Sequence, residues 1–236
     1  MPPAPLAGVL FDKDGVLVDF AATWDPAGGA VITALAEGDE ALEAALAEAV
    51  LYDRKARRFD PASLFIAGSS GELMAVWRPL LPDRPNLARE VAALFTRTGV
   101  ENVAPVADAP EALAALARAG VPLGVATNDA EASARAQVQR LGIAGRFAFV
   151  AGADSGHGAK PGGGMVRAFA AHLDVEPGRV ALVGDTLHDV HAAKDAGAIS
   201  IGVGTGPGGL EPLRGAADHL IGTLAELPAL VADLRG

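Results

Sequence analysis

Val9-Leu10-Phe11-Asp12-Lys13-Asp14-Gly15-Val16-Leu17 is the stretch that decides how this chain reads. The apolar run over residues 6–11 has the length of a buried strand, and it stops at two carboxylates spaced i, i+2 with a glycine directly after them. In extended backbone, residues i and i+2 point the same way. Asp12 and Asp14 are therefore expected to share one pocket, where like charges repel unless a cation or a proton intervenes. Lys13, between them, points the other way and is expected to face solvent. The competing explanation is a plain turn at Asp14-Gly15 after a strand, and the rest of the chain has to decide.

Beyond this strand the pattern turns helical. Helices are expected over 27–37, 40–58, 61–67, 69–80 and 86–98, with no strand between residues 21 and 99. Ser69 and Asn86 are N-cap candidates, and Glu72 would complete a capping box with Ser69. The Pro-rich run 79–85 breaks the series and marks a boundary. From Asp108 onward, strands (121–126, 147–150, 180–183, 199–203, 219–221) alternate with helices (110–119, 130–141, 165–173, 190–196, 224–234). Strands apolar throughout and alternating with helices predict an α/β fold: a doubly wound parallel sheet covered on both faces. The expected domains are an α/β core of residues 1–19 and 86–236 and an all-helical domain of residues 20–85, inserted directly after the first strand.

Ligands in such folds sit beyond the carboxyl ends of the strands, so the polar residue after each apolar run is the informative one. The first strand ends in Asp12 and Asp14, the next in Thr127-Asn128-Asp129, and a later one in Gly184-Asp185-Thr186-Leu187-His188-Asp189; Lys160-Pro161 precedes a helix. Parallel strands would bring these four segments to one sheet edge. Asp12, Asp14, Asp185 and Asp189 then form a hard, oxygen-rich cluster without histidine or cysteine, which favours Mg²⁺ over zinc or copper. The Thr127 hydroxyl, the Asn128 amide and the Lys160 ammonium supply donors and positive charge of the kind a phosphoryl group needs. Two neighbouring aspartates beside such a group suit attack at phosphorus by one and proton transfer by the other.

Composition narrows the field. A formal charge of −10 opposes binding to nucleic acid or anionic lipid, and the absence of cysteine removes disulfides, thiolate metal sites and cysteine nucleophiles. No apolar run approaches eighteen residues, and residues 1–8 lack a basic segment, so neither a membrane span nor a secretory leader is expected and the expected location is cytoplasmic. Lysine is scarce, four among nineteen basic residues, which adds weight to Lys160.

Taken in order, these four motifs resemble those of the haloacid dehalogenase superfamily of phosphohydrolases, in its phosphoglycolate phosphatase-like branch. The resemblance covers residues 6 to 20 and the chain from near residue 100 to residue 222. It implies Asp12 as nucleophile and Asp14 as general acid and base. It further implies Thr127, Asn128 and Lys160 as phosphate contacts, with Asp12, Asp14 through its carbonyl, and Asp185 as Mg²⁺ ligands supported by Asp189. An aspartate at position 14 is similar to the phosphatases and phosphomutases of the superfamily rather than to its dehalogenases. The helical insert resembles the family's cap in position. One departure stands out: Gly162-Gly163-Gly164 follows Lys160-Pro161 where relatives commonly carry a second proline, and glycine weakens a helix start.

The expected function is a Mg²⁺-dependent phosphatase acting on a small phosphorylated metabolite, with no nucleic-acid or membrane partner and the oligomeric state left open. A phosphomutase of the same fold and a non-enzymatic phosphate-binding regulatory module are the alternatives. The basic run Arg54-Lys55-Ala56-Arg57-Arg58 is either a solvated helix face or a contact for a second anionic group. His188 and His191 are expected at the surface, and the glycine-rich stretch 202–209 is expected as a loop beside the site.

Overall fold

The computed structural model describes residues 5–60, 62–67, 70–81 and 85–236. The chain forms two compact units, one made of the chain up to Asp19 and from Ala104 onward, the other of Phe20–Val103.

The first unit begins with β1 (Gly8–Phe11). The second unit supplies α1 (Phe20–Ala36), α2 (Glu40–Ala49), β2 (Tyr52–Asp53), β3 (Arg58–Phe59), α3 (Leu64–Ala67), α4 (Ser70–Trp77) and α5 (Leu87–Glu101). The chain then returns through α6 (Ala109–Arg118), β4 (Leu123–Ala126), α7 (Glu131–Arg140), β5 (Phe149–Ala151), α8 (Gly164–His172) and β6 (Val180–Gly184). It ends with α9 (Leu187–Ala196), β7 (Ile199–Val203), β8 (His219–Ile221) and α10 (Leu227–Arg235).

All six long strands are parallel, in the order β5-β4-β1-β6-β7-β8. The first strand in sequence thus lies in the middle, flanked by β4 and β6, and the direction of winding reverses beside it. Alternation along each strand divides the core in two. Val9 and Phe11 of β1 and Ala181 and Val183 of β6 join one apolar cluster with Leu113 and Leu116 of α6, Val138 of α7 and Val231 of α10. Leu10, Val180 and Leu182 point to the other face, where Met165, Val166 and Phe169 of α8 and Ala192 and Ala193 of α9 cover them. Covering on both faces is what makes these strands apolar at every position.

Register places the polar ends together. Phe11 lies level with Val125 of β4 and Val183 of β6. Asp12 continues the ladder, its N–H donating to the Val183 carbonyl at 2.8 Å, and Thr127 does the same toward Ala151 at 3.0 Å. The chain leaves and rejoins this unit side by side, with the Asp19 N–H on the Ala104 carbonyl (2.9 Å) and the Val106 N–H on the Leu17 carbonyl (3.0 Å).

The helical unit departs from expectation in three places. Its second boundary falls after residue 103 rather than at 86, because α5 turns Leu87 and Val91 into the unit's own apolar cluster and stacks Phe95 on Phe65 (ring centroids 5.2 Å) and Trp77 (6.0 Å). The expected helix over 40–58 stops at Ala49, and the two short strands β2 and β3 pair antiparallel after it. Leu51 and Arg57 adopt positive φ (both 54°), and the Asp53 carboxylate accepts from the N–H groups of Lys55 and Ala56 (2.8 Å each), so the chain turns instead of spiralling. Tyr52 and Phe59 then meet edge to face at 4.9 Å on the buried side. The basic run 54–58 is consequently the exposed tip of a hairpin, not a helix face. Finally, α1 starts at Phe20 and carries Pro26 inside it. The N-cap expected at Ser69 lies outside the described residues, and Asn86 precedes α5 without a side-chain capping bond.

Phe169 is fully buried against the sheet and tilted on Phe149 at 5.6 Å. Replacing it by alanine is expected to cost about 3–5 kcal/mol, through lost burial and the cavity left behind. Urea denaturation checks this, with a lower midpoint at unchanged slope as the expected result and an unchanged midpoint as the contrary one.

Candidate active site

Four segments meet at the carboxyl edge of the sheet, all of them in the α/β unit. The clearest bond between them is the Lys160 ammonium, buried, with Nζ 2.7 Å from Asp12 Oδ1 and 2.6 Å from Asp189 Oδ1. Asp12 Oδ1 also accepts the Lys13 N–H at 2.6 Å. Asp189 does a second job. Its other oxygen accepts from the Thr186 N–H (3.1 Å) and hydroxyl (2.7 Å), which caps the first turn of α9 and fixes that carboxylate by its helix.

Asp185 completes the cluster: one carboxylate oxygen from each of Asp12, Asp185 and Asp189 lies within 4.8 Å of the others. Three buried carboxylates face a single ammonium, and Asp12 and Asp185 are shifted as a result. Burial, then the charges of Asp189 and Asp14, push Asp12 up to about 7 against the pull of Lys160. Burial and the charges of Asp12 and Asp189 push Asp185 up to about 8. For Lys160, burial pulls down, but Asp12 and Asp189 outweigh it and hold the ammonium well above the usual lysine range. Among the described residues, Asp185 Oδ1 is buried without a hydrogen-bond partner. An oxygen donor set with excess negative charge and an orphaned buried oxygen fits a hard divalent cation.

The remaining candidates divide. Thr127 is buried, its hydroxyl oxygen accepting the Asp129 N–H at 3.1 Å. The Asn128 side chain is occupied with Lys160: its Oδ1 accepts the Lys160 N–H (2.8 Å) and its Nδ2 donates to the Lys160 carbonyl (3.0 Å), a two-point clamp on the backbone of the residue that reaches Asp12. The Asp14 carboxylate is paired with Lys13, Oδ2 to Nζ at 2.6 Å.

Lys13 is the main correction. Expected to face solvent, it is wholly buried, with Nζ also 3.1 Å from Asp129 Oδ2. Strand alternation does not apply there, because β1 ends at Phe11 and Gly15 turns at φ 75°. His188 and His191 are exposed, as expected.

Two features were not foreseen. The glycine-rich loop after β7 does more than lie nearby: Thr205 donates its hydroxyl to the Gly15 carbonyl at 2.6 Å, and a Cβ on Gly206 would run into the Asp185 carboxylate. Within the run Gly162-Gly163-Gly164, Gly163 is the residue that lies close to α9. A Cβ on Gly163 would come within 2.7 Å of the Ala196 nitrogen and 2.8 Å of the Ala192 carbonyl, while the Gly163 N–H is held by Asp195 at 2.8 Å. Repeated glycine in the sequence was the available signal in both cases.

Comparison with known proteins gives the family of the chain. The profile of the haloacid dehalogenase-like hydrolases matches residues 6–197. A probable phosphatase, IndB, from Dickeya dadantii is 34% identical over 219 residues, 90% of this chain and 87% of that protein. A phosphoglycolate phosphatase from Neisseria meningitidis is 34% identical over 143 residues, 59% of this chain and 58% of that protein, so the chain spans a little over half the length of that relative. An N-acetylmuramic acid 6-phosphate phosphatase from Pseudomonas aeruginosa is 30% identical, with 81% and 79% covered. Among solved structures, CbbY from Rhodobacter sphaeroides in complex with phosphate shares the fold, with a TM-score of 0.70, 21% identity and coverage of 94% and 96%. By the match of its motifs in order and by these relatives, the chain belongs to the haloacid dehalogenase-like hydrolases.

Proposed function

We propose that this protein is a Mg²⁺-dependent phosphomonoesterase that hydrolyses a small phosphorylated metabolite through an aspartyl-phosphate on Asp12. The observation that carries the reading is the Lys160 ammonium bound between Asp12 and Asp189, with Asp185 in the same oxygen cluster. Lys160 and the Lys13 N–H both bind Asp12 Oδ1, which assigns Oδ2 to attack at phosphorus. As that P–O bond forms, the ester P–O bond breaks, and its electron pair leaves on the alcohol oxygen, which takes a proton from Asp14. Water then attacks the phosphorus, gives its proton to Asp14, and returns Asp12 as a carboxylate with release of phosphate. Lys160 and the Thr127 hydroxyl neutralise and orient the equatorial oxygens. Asn128 serves indirectly, through its clamp on Lys160. A Mg²⁺ ion held by the Asp12 and Asp185 carboxylates and the Asp14 carbonyl, with Asp189 in support, supplies charge neutralisation on the phosphoryl group. In this reading the inserted helical unit, the family's cap by its position in the chain, selects the substrate.

A second reading has one observation behind it. The fold is shared with a putative beta-phosphoglucomutase from Thermotoga maritima (TM-score 0.68, 21% identity). Incubation with a hexose phosphate separates the two, since the phosphatase releases inorganic phosphate and the mutase returns an isomerised hexose phosphate.

Asp12→Asn is expected to lower turnover of p-nitrophenyl phosphate by on the order of 10⁴-fold or more, because the amide cannot form the intermediate. A variant with wild-type turnover would contradict the mechanism. Chelation is expected to abolish turnover and added Mg²⁺ to restore it. Independently of activity, Mg²⁺ at a hundred times its Kd should stabilise the fold by about 2.7 kcal/mol. Calorimetry with and without the ion reads this directly, and Asp185→Asn should remove most of the shift.

A further inference from the structure

The reaction just described uses the Lys13 N–H but not its side chain, although the surroundings of that ammonium are costly to build. The side chain is wholly buried, its Nζ 2.6 Å from Asp14 Oδ2 and 3.1 Å from Asp129 Oδ2. An apolar side chain of similar length would fill the same space without desolvating a charge, which costs several kcal/mol before pairing is counted. Asp129 is well anchored in turn. Its N–H donates to the Thr127 hydroxyl oxygen (3.1 Å), and its carbonyl accepts from the Ala153 N–H (2.9 Å). Asp14 lies at the start of the Gly15 turn, bridged to Val18. Through Lys13, then, its carboxylate is referenced to the loop after β4, the loop that also carries Thr127.

We propose that Lys13 is a positioning residue for proton transfer: anchored on Asp129, its ammonium holds the Asp14 carboxylate where it meets the leaving oxygen. This rests on the reading of Asp14 as the general acid. A lysine that merely ties two loops together would, when removed, lower stability and depress every activity alike. A lysine that aims the acid has a distinct signature, because only substrates whose leaving group needs a proton depend on that aim.

The test compares kcat/KM, which covers the steps through leaving-group departure, for two kinds of ester. One is p-nitrophenyl phosphate, whose phenolate leaves without a proton; the other is an alkyl phosphate that the wild-type protein turns over, whose alkoxide needs one. Asp14→Asn sets the scale, with an expected loss of about 10²–10⁴-fold on the alkyl ester and much less on the aryl ester. Lys13→Met is expected to lose at least about tenfold more on the alkyl ester than on the aryl one, a selective loss within the range of general acid catalysis. Asp129→Asn, which keeps the ammonium but removes its anchor, should shift in the same direction by less. Equal losses on both esters in a Lys13→Met protein with a normal melting curve would overturn the proposal. Should that variant not fold, Asp129→Asn decides alone, and equal losses there count against it in the same way. Equal losses in Asp14→Asn instead remove the reading of Asp14 as the acid, and the role of Lys13 with it.

Discussion

Three aspartates and one lysine, all buried at the end of a parallel sheet, impose the constraint on which the rest of this structure depends. Lys160 sits between Asp12 and Asp189, and Asp185 shares their space. A buried charge is tolerable only when partners replace the water it has lost, and here the partners come from three distant parts of the chain. Only a sheet in which β1 and β6 run parallel and end level can deliver them together, and the register does so: Phe11 is level with Val183, so the ladder ends on Asp12 and, two residues past Val183, on Asp185. The central placement of β1 follows from the same requirement, because the winding reverses beside it and opens the edge there.

Holding Lys160 in place takes a separate set of contacts, none of which touches Asp12. Asn128 clamps the backbone of Lys160 on both its N–H and its carbonyl. Beyond Pro161, Gly163 lets the chain pass against α9, where Asp195 takes the Gly163 N–H and Arg167 at 3.1 Å. The lysine thus hangs from β4 on one side and α9 on the other. Asp189, its second partner, is fixed by capping that same helix. Rigid elements set the geometry of a long, otherwise flexible side chain, which a loop alone would leave loose.

Much of this was legible because parallel strands buried on both faces are apolar at every position, so the first charged residue after each run marks the sheet edge. Asp12, Thr127 and Asp185 announce themselves in that way, and Lys160 by rarity. The hairpin over residues 52–59 was hidden for the opposite reason: two-residue strands have no periodicity, and the positive-φ positions that make the turn are Leu51 and Arg57 rather than glycines. The described helices stop at Trp77 and resume at Leu87, and α5 keeps its apolar face in the helical unit, since core membership depends on which cluster Leu87 and Val91 enter. Asn128 was expected as a phosphate contact, and only the pairing geometry reveals that its amide holds the Lys160 backbone. Lys13 was misread because an alternation rule was carried two residues beyond the strand that justified it.

That misreading bears on the motif itself. Two carboxylates spaced i, i+2 in extended chain would need one shared counter-charge, and a single metal ion is the economical guess. The structure divides the task instead. Lys160 joins Asp12 to Asp189, and Lys13 joins Asp14 to Asp129, so each aspartate of the pair has its own buried ammonium, and each ammonium is secured by a second aspartate beyond another strand, Asp189 in the first turn of α9 and Asp129 in the loop after β4. Among the charges acting on Asp12, that of Asp14 is the weakest named, behind Lys160 and Asp189. The two carboxylates are thereby held separately, each by its own ammonium. A cation in the oxygen cluster would then balance the excess charge of Asp12, Asp185 and Asp189 and leave Asp14 to its own lysine.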